Sequence, residues 1–153
     1  MTTSRLITGA LAVVLSVVAI PAAHADTITC SVIEIEASNA DPPAMDGALK
    51  PLERKLRKPP FSSWNSFKQL GSSSLTLEPM KPGSLGLVHG KATLILREVT
   101  GDKKTRISLG VTLDDETGKR VLDSKVSVDA GDYLVVGRSL PAGKGQLVAL
   151  NCR

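Results

Sequence analysis

In TRISLGVTL, Thr105 to Leu113, every second residue is apolar. Ile107, Leu109, Val111 and Leu113 alternate with Arg106, Ser108, Gly110 and Thr112. A period of two puts one set on each face of an extended strand and cannot form a helical stripe. The feature recurs. KATLILREV carries Ala92, Leu94 and Leu96 in one phase, RVLDSKVSV carries Leu122, Val126 and Val128, and QLVALNC carries Val148, Leu150 and Cys152. Turns containing Gly or Asp separate these runs: GDKK at 101–104, DDETGK at 114–119 and DAGD before YLVVG, the composition tight hairpins need. With the shorter runs SWNSFKQL, SLTLEPM and LGLV, roughly eight or nine strands follow one another about 8–14 residues apart. The rhythm predicts a mainly β domain, an antiparallel β-sandwich or barrel of about eight short strands, each sheet with one wet face.

The beginning of the domain is less regular. TITCSVIEIEA has Ile28, Cys30 and Val32 in one phase and Ile33, Ile35 and Ala37 in the other. A slip at Val32–Ile33 predicts a β-bulge or bend where the strand changes its buried face. SNADPP breaks the strand, and AMDGALKPLERKLRK follows. Met45, Ala48, Leu49, Leu52 and Leu56 recur at helical spacing, opposite Lys50, Glu53, Arg54, Lys55 and Arg57. This predicts one inserted amphipathic helix, capped by Asp41 or Asp46, kinked or started near Pro51 and ended by Pro59 and Pro60.

The N-terminal 25 residues read as a signal peptide: Arg5 in a short n-region, the apolar run LITGALAVVLSVVAI, and a small-residue site ending at Ala25. The expected organisation is a signal peptide over 1–25 and a single β-rich domain over 26–153, with no transmembrane segment after cleavage. The apolar run is short for a retained anchor. Loss of Arg5 lowers the formal charge of +4 by one, a modest balance that by itself points to no polyanionic partner. Cys30 and Cys152 lie near the two ends of the expected domain. In an oxidising compartment a single pair closes into a disulfide, and the periplasm or the extracellular space is the expected location. No Cys-x-x-Cys motif supports a redox role.

Few residues offer chemistry. His89 is the only histidine after Ala25; it reads as a surface turn residue and cannot build a His-rich metal site alone. Asp114, Asp115 and Glu116 cluster in one turn, with Asp102 and Asp123 nearby in sequence. They carry an alternative reading as a carboxylate-dependent hydrolase, although acidic residues before Thr-Gly are also ordinary turn chemistry. No Gly-x-Ser-x-Gly elbow, phosphate loop or calcium loop is present. No catalytic residue, metal ligand or cofactor is therefore assigned.

KPPFSSWNSFKQLG, residues 58–71, holds three of the four aromatics of the chain, Phe61, Trp64 and Phe67. If they align on a turn, they form one apolar wedge, either a plug between helix and sheet or a docking ridge. With the basic run before them they define a candidate binding surface: Arg54, Lys55, Lys58, Phe61, Trp64, Phe67 and Lys68. Such a surface suits a protein, an anionic glycan or a lipid head group; nucleic acid is disfavoured for an exported protein. The stretch resembles a segment of an uncharacterised family of small secreted proteins of myxobacteria and related Gram-negative bacteria, through Lys58, Pro60, Phe61, Ser62, Ser63, Trp64, Phe67 and Lys68. The resemblance implies a secreted single domain and transfers no activity. The leading expectation is an exported non-enzymatic β-domain with a binding or structural role in the cell envelope or outside the cell. A further alternative is an inhibitor or subunit of a secreted assembly that pairs through an edge strand.

Overall fold

The computed structural model describes residues 26–153; the signal-peptide expectation falls outside them. Eight strands form two four-stranded antiparallel sheets. Ile28–Ser38 (β1), Ser66–Leu77 (β2), Tyr133–Ser139 (β7) and Gly145–Cys152 (β8) build the first sheet, in the order β2-β1-β8-β7. Pro82–Leu87 (β3), Gly90–Thr100 (β4), Arg106–Asp114 (β5) and Arg120–Asp129 (β6) form the second, a simple meander. The expected sandwich is realised, with the helical insertion between β1 and β2.

The alternating residues pack as their period requires. Ala92, Leu94, Leu96, Ile107, Leu109, Val111 and Leu113 meet Ile28, Cys30, Val32, Val148, Leu150 and Cys152 between the sheets. Cys30 faces Cys152 across the β1–β8 ladder, and the two are joined by a disulfide. The bond closes a loop of 122 residues and ties together the two middle strands of one sheet.

A second core lies on the opposite face of the first sheet. Ile33, Ile35, Ala37, Leu147 and Ala149 are buried there under Leu49, Leu52 and Leu56. This corrects two expectations. The β1–β8 ladder runs without interruption through Val32 and Ile33, and the irregularity in β1–β2 pairing falls at Glu34/Ile35 instead. The strand does not change its buried face; both faces are buried, because the helical insertion covers the one that would otherwise be wet.

That insertion is tighter than the apolar stripe suggested. Gly47–Leu52 is a 3₁₀ helix containing Pro51, and only Glu53–Leu56 (α1) is α-helical. The 3₁₀ winding leaves Ala48 in solvent. Asp46 occupies the N-cap position without a side-chain cap bond; its carboxylate accepts the Gln69 N–H at 2.8 Å instead. A segment this short has no independent stability in water. Burial of three leucines, worth roughly 1.5–3 kcal/mol each, holds it to the sheet. SWNSFKQL and SLTLEPM, expected as separate strands, are largely one: β2 continues through Gly71, which pairs with Glu34 beside the bulge.

Candidate functional site

The two ends of the sandwich differ. The disulfide and the 101–105 turn lie at one end. The β3–β4 hairpin at Val88 and His89, the β5–β6 turn and the β7–β8 loop gather at the other. There Glu36, His89, Asp115, Glu116, Thr117, Arg138, Leu140, Pro141 and Lys144 line a cleft of about 380 Å³.

Beneath it lies a polar network between the sheets. Glu34 and Gln146 occupy the same strand phases as Val32 and Val148, which send them inward, and both are buried. The Glu34 carboxylate accepts the backbone N–H groups of Val88 at 2.6 Å and His89 at 3.0 Å, and the Gln146 amide at 2.8 Å. Gln146 also donates to the His89 carbonyl at 3.0 Å and accepts from Arg138 Nε at 2.7 Å. A second guanidinium N–H of Arg138 reaches the His89 carbonyl at 3.3 Å. No buried side-chain polar atom lacks a partner among the described residues. A buried carboxylate is tolerated only when its lone pairs are met in this way.

The hairpin above the network is held by shape as well. Gly90 has a φ of 109°, and a Cβ there would run into the Asp114 carbonyl. His89 is a turn residue, as expected, but it is not inert surface. Its Nδ1 lies 3.1 Å from Glu116 and its Nε2 3.9 Å from Glu36, so the imidazole stands between carboxylates from the two sheets. Lys144 reaches Glu36 at 3.1 Å. Asp115 holds its own turn: one oxygen accepts the Thr117 hydroxyl at 2.6 Å, the Thr117 N–H at 2.9 Å and the Lys119 N–H at 3.0 Å. The Thr117 hydroxyl bond is the main cause that lowers the Asp115 pKa, against some desolvation, with the two backbone N–H groups and the Arg138 charge adding to it.

Of the five carboxylates singled out in the sequence, only Asp115 and Glu116 reach this cleft. Asp114 pairs with Arg120 at 3.2 Å beside a neighbouring groove. Asp123 is exposed on β6, and Asp102 is exposed in the turn at the disulfide end. Among the described residues no group of three or more His, Cys, Asp or Glu side chains is placed to hold a metal ion.

The aromatic stretch lies elsewhere, at the join of insertion and sheet. Phe67 is buried, and Phe61 and Trp64 pack against the same core half-buried. The indole N–H donates to the Gly143 carbonyl at 2.8 Å. The indole ring lies so close over Gly145 that a Cβ there would stand 2.6 Å from it. Of the remaining candidate-surface residues, Arg54, Lys58 and Lys68 are exposed, and Lys55 pairs with Asp132 at 3.2 Å. Phe67 is thus not available to a ligand, and the wedge is turned inward. A groove lined by Met45, Arg57, Trp64 and Asn65 remains open beside it.

The residues that sequence reasoning passed over are Glu34, Gln146, Glu36, Arg138 and Lys144. A signal existed for the first two: each is a polar residue in the inward phase of a core strand. The other three meet only through the closure of the sandwich. No family model matches the chain, and no curated protein or solved structure matches it either.

Proposed function

We propose that this chain is an exported, non-catalytic β-sandwich domain that binds its ligand in the cleft at the end opposite the disulfide. The observation that carries the reading is the hydrogen-bonded support formed by Glu34, Gln146 and Arg138 under that cleft, in which no side-chain polar atom of the described residues is buried without a partner. A site on such a base is preorganised, and little ordering cost falls on binding. Export is supported by the disulfide, which is at home in an oxidising compartment outside the cytoplasm. The absence of catalysis is supported by the state of the cleft groups. A carboxyl lowered as Asp115 is makes a poor general acid.

The test is an amide-resolved NMR screen of the oxidised protein against sugars, amino acids, amines, inorganic anions and an anionic glycan. The expected shifts fall on residues 88–90, 115–119 and 138–146. Shifts confined to Arg54, Lys58 and Lys68 with the anionic glycan would move the binding face to the helical insertion. Turnover of a bound compound that disappears in Glu116→Gln would overturn the non-catalytic reading.

A further inference from the structure

The cleft has an acidic wall and a basic wall, and on the basic one Lys144 is already paired with Glu36 at 3.1 Å, which leaves Arg138 as its cation without a carboxylate partner among the described residues. The β5–β6 turn contributes Asp115 and Glu116, and the β7 end with its loop contributes Arg138 and Lys144. Two of these groups are held rigidly. Asp115 spends one carboxylate oxygen on its turn, leaving Oδ2 without a partner among the described residues. Arg138 spends Nε and one terminal nitrogen on Gln146 and the His89 carbonyl, leaving Nη1 likewise unengaged. Among the described residues no unpartnered side-chain polar atom is fully buried, so both keep some contact with solvent. They form no ion pair with each other, yet the Arg138 charge acts on Asp115. Glu116 and Lys144 extend the two walls as more exposed groups, and Leu140 and Pro141 supply apolar surface between them.

We propose that the cleft takes a small zwitterion of the amino-acid type, its carboxylate on Arg138 and Lys144, its ammonium on Asp115 and Glu116, and its carbon skeleton against Leu140 and Pro141. A lone anion would meet the acidic wall and a lone cation the basic one. A molecule bearing both charges satisfies the two fixed groups at once, and opposed charges of this kind set specificity. A volume of about 380 Å³ suits one or two residues of a free amino acid or dipeptide. This inference rests on the binding reading above.

The experiment is an NMR titration of the oxidised protein with free amino acids and dipeptides, each alongside its N-acetyl and C-amide analogues. At least one zwitterion should shift the amides of 88–90, 115–119 and 144–146, and acetylation or amidation should weaken it at least about tenfold. Asp115→Asn keeps the turn acceptor and removes the charge; it should lower affinity for the zwitterion while leaving the C-terminal contacts. Lys144→Gln, at an exposed position, should weaken the free carboxylate form and spare the amide. The proposal fails if no amino acid or dipeptide at about 10 mM shifts these amides, or if a blocked analogue binds equally well. A sugar or singly charged ion shifting the same amides would overturn the zwitterion and leave the binding reading intact; a screen silent for every class would overturn both.

Discussion

Glu34 and Gln146, from neighbouring strands of one sheet, hydrogen-bond to each other at 2.8 Å in the interior and together hold the β3–β4 hairpin of the other sheet. Glu34→Ala leaves the Val88 and His89 N–H groups and one Gln146 donor without their acceptor. Loss of a buried acceptor for several donors costs about 2–4 kcal/mol. Denaturant titration should show that loss at unchanged m-value, and hydrogen exchange at Val88 and His89 should accelerate more than at the core strands.

Gly145 exists to admit the Trp64 indole. Gly145→Ala places a Cβ 2.6 Å from that ring, and overpacking of this kind costs about 1–3 kcal/mol. Trp64 is the only tryptophan, so its fluorescence reports the displacement directly: the emission should move to longer wavelength and become easier to quench. An unchanged spectrum and unfolding midpoint would show that the indole does not seal the insertion to the sheet.

The Cys30–Cys152 bond constrains the unfolded chain over 122 residues, for which the loop-closure model gives on the order of 4–5 kcal/mol and measurement usually less. Reduction should lower the melting temperature by about 10 °C, while the far-ultraviolet β signature persists below the new midpoint. Strand pairing around Cys30 continues on both sides of β1, which is why the sheet should survive.

Three aspartates contribute to the response to acid. Asp129 is lowered chiefly by its hydrogen bond with Lys104, Asp132 by the Tyr133 N–H and then Lys55, and Asp115 by Thr117. A carboxyl with a lowered folded pKa adds stability that is fully present above the unfolded value, about 3.9, and is lost as pH falls through the folded value. Thermal midpoints should therefore change little on this account between about pH 7 and 5 and fall below about pH 4. Asp129→Asn should flatten the acid limb.

The lone ion pair between the insertion and the β6–β7 turn should matter little. Lys55 and Asp132 are 3.2 Å apart but both about half exposed, and such pairs contribute about 0–1 kcal/mol. Lys55→Ala should shift the unfolding midpoint less than Leu52→Ala, which empties a buried site at a cost of about 2–5 kcal/mol. Equal effects would mean that charge, not apolar burial, holds the insertion in place.

The local patterns determined a good deal. Alternation at Ile107 to Leu113 and its neighbours specifies strands and their buried faces, because side chains on a pleated strand point to opposite sides with period two. Gly and Asp at 101–104 and 114–119 specify the hairpins through turn chemistry, and the two cysteines at the domain ends find each other on adjacent strands. What those patterns could not decide is what stands on the far side of each face. The two apolar phases of β1 read as a slip until a third layer is known to cover Ile33 and Ile35. Aromatics at 61, 64 and 67 lean toward a seal by their spacing, but a docking ridge stays open until the sheet lies beneath them. His89, Glu36, Arg138 and Lys144 are scattered along the chain and form one cleft only when two sheets stack. Periodicity is a property of neighbouring residues, whereas burial and the meeting of charges depend on contacts between segments far apart in sequence, and only the closed tertiary structure supplies those.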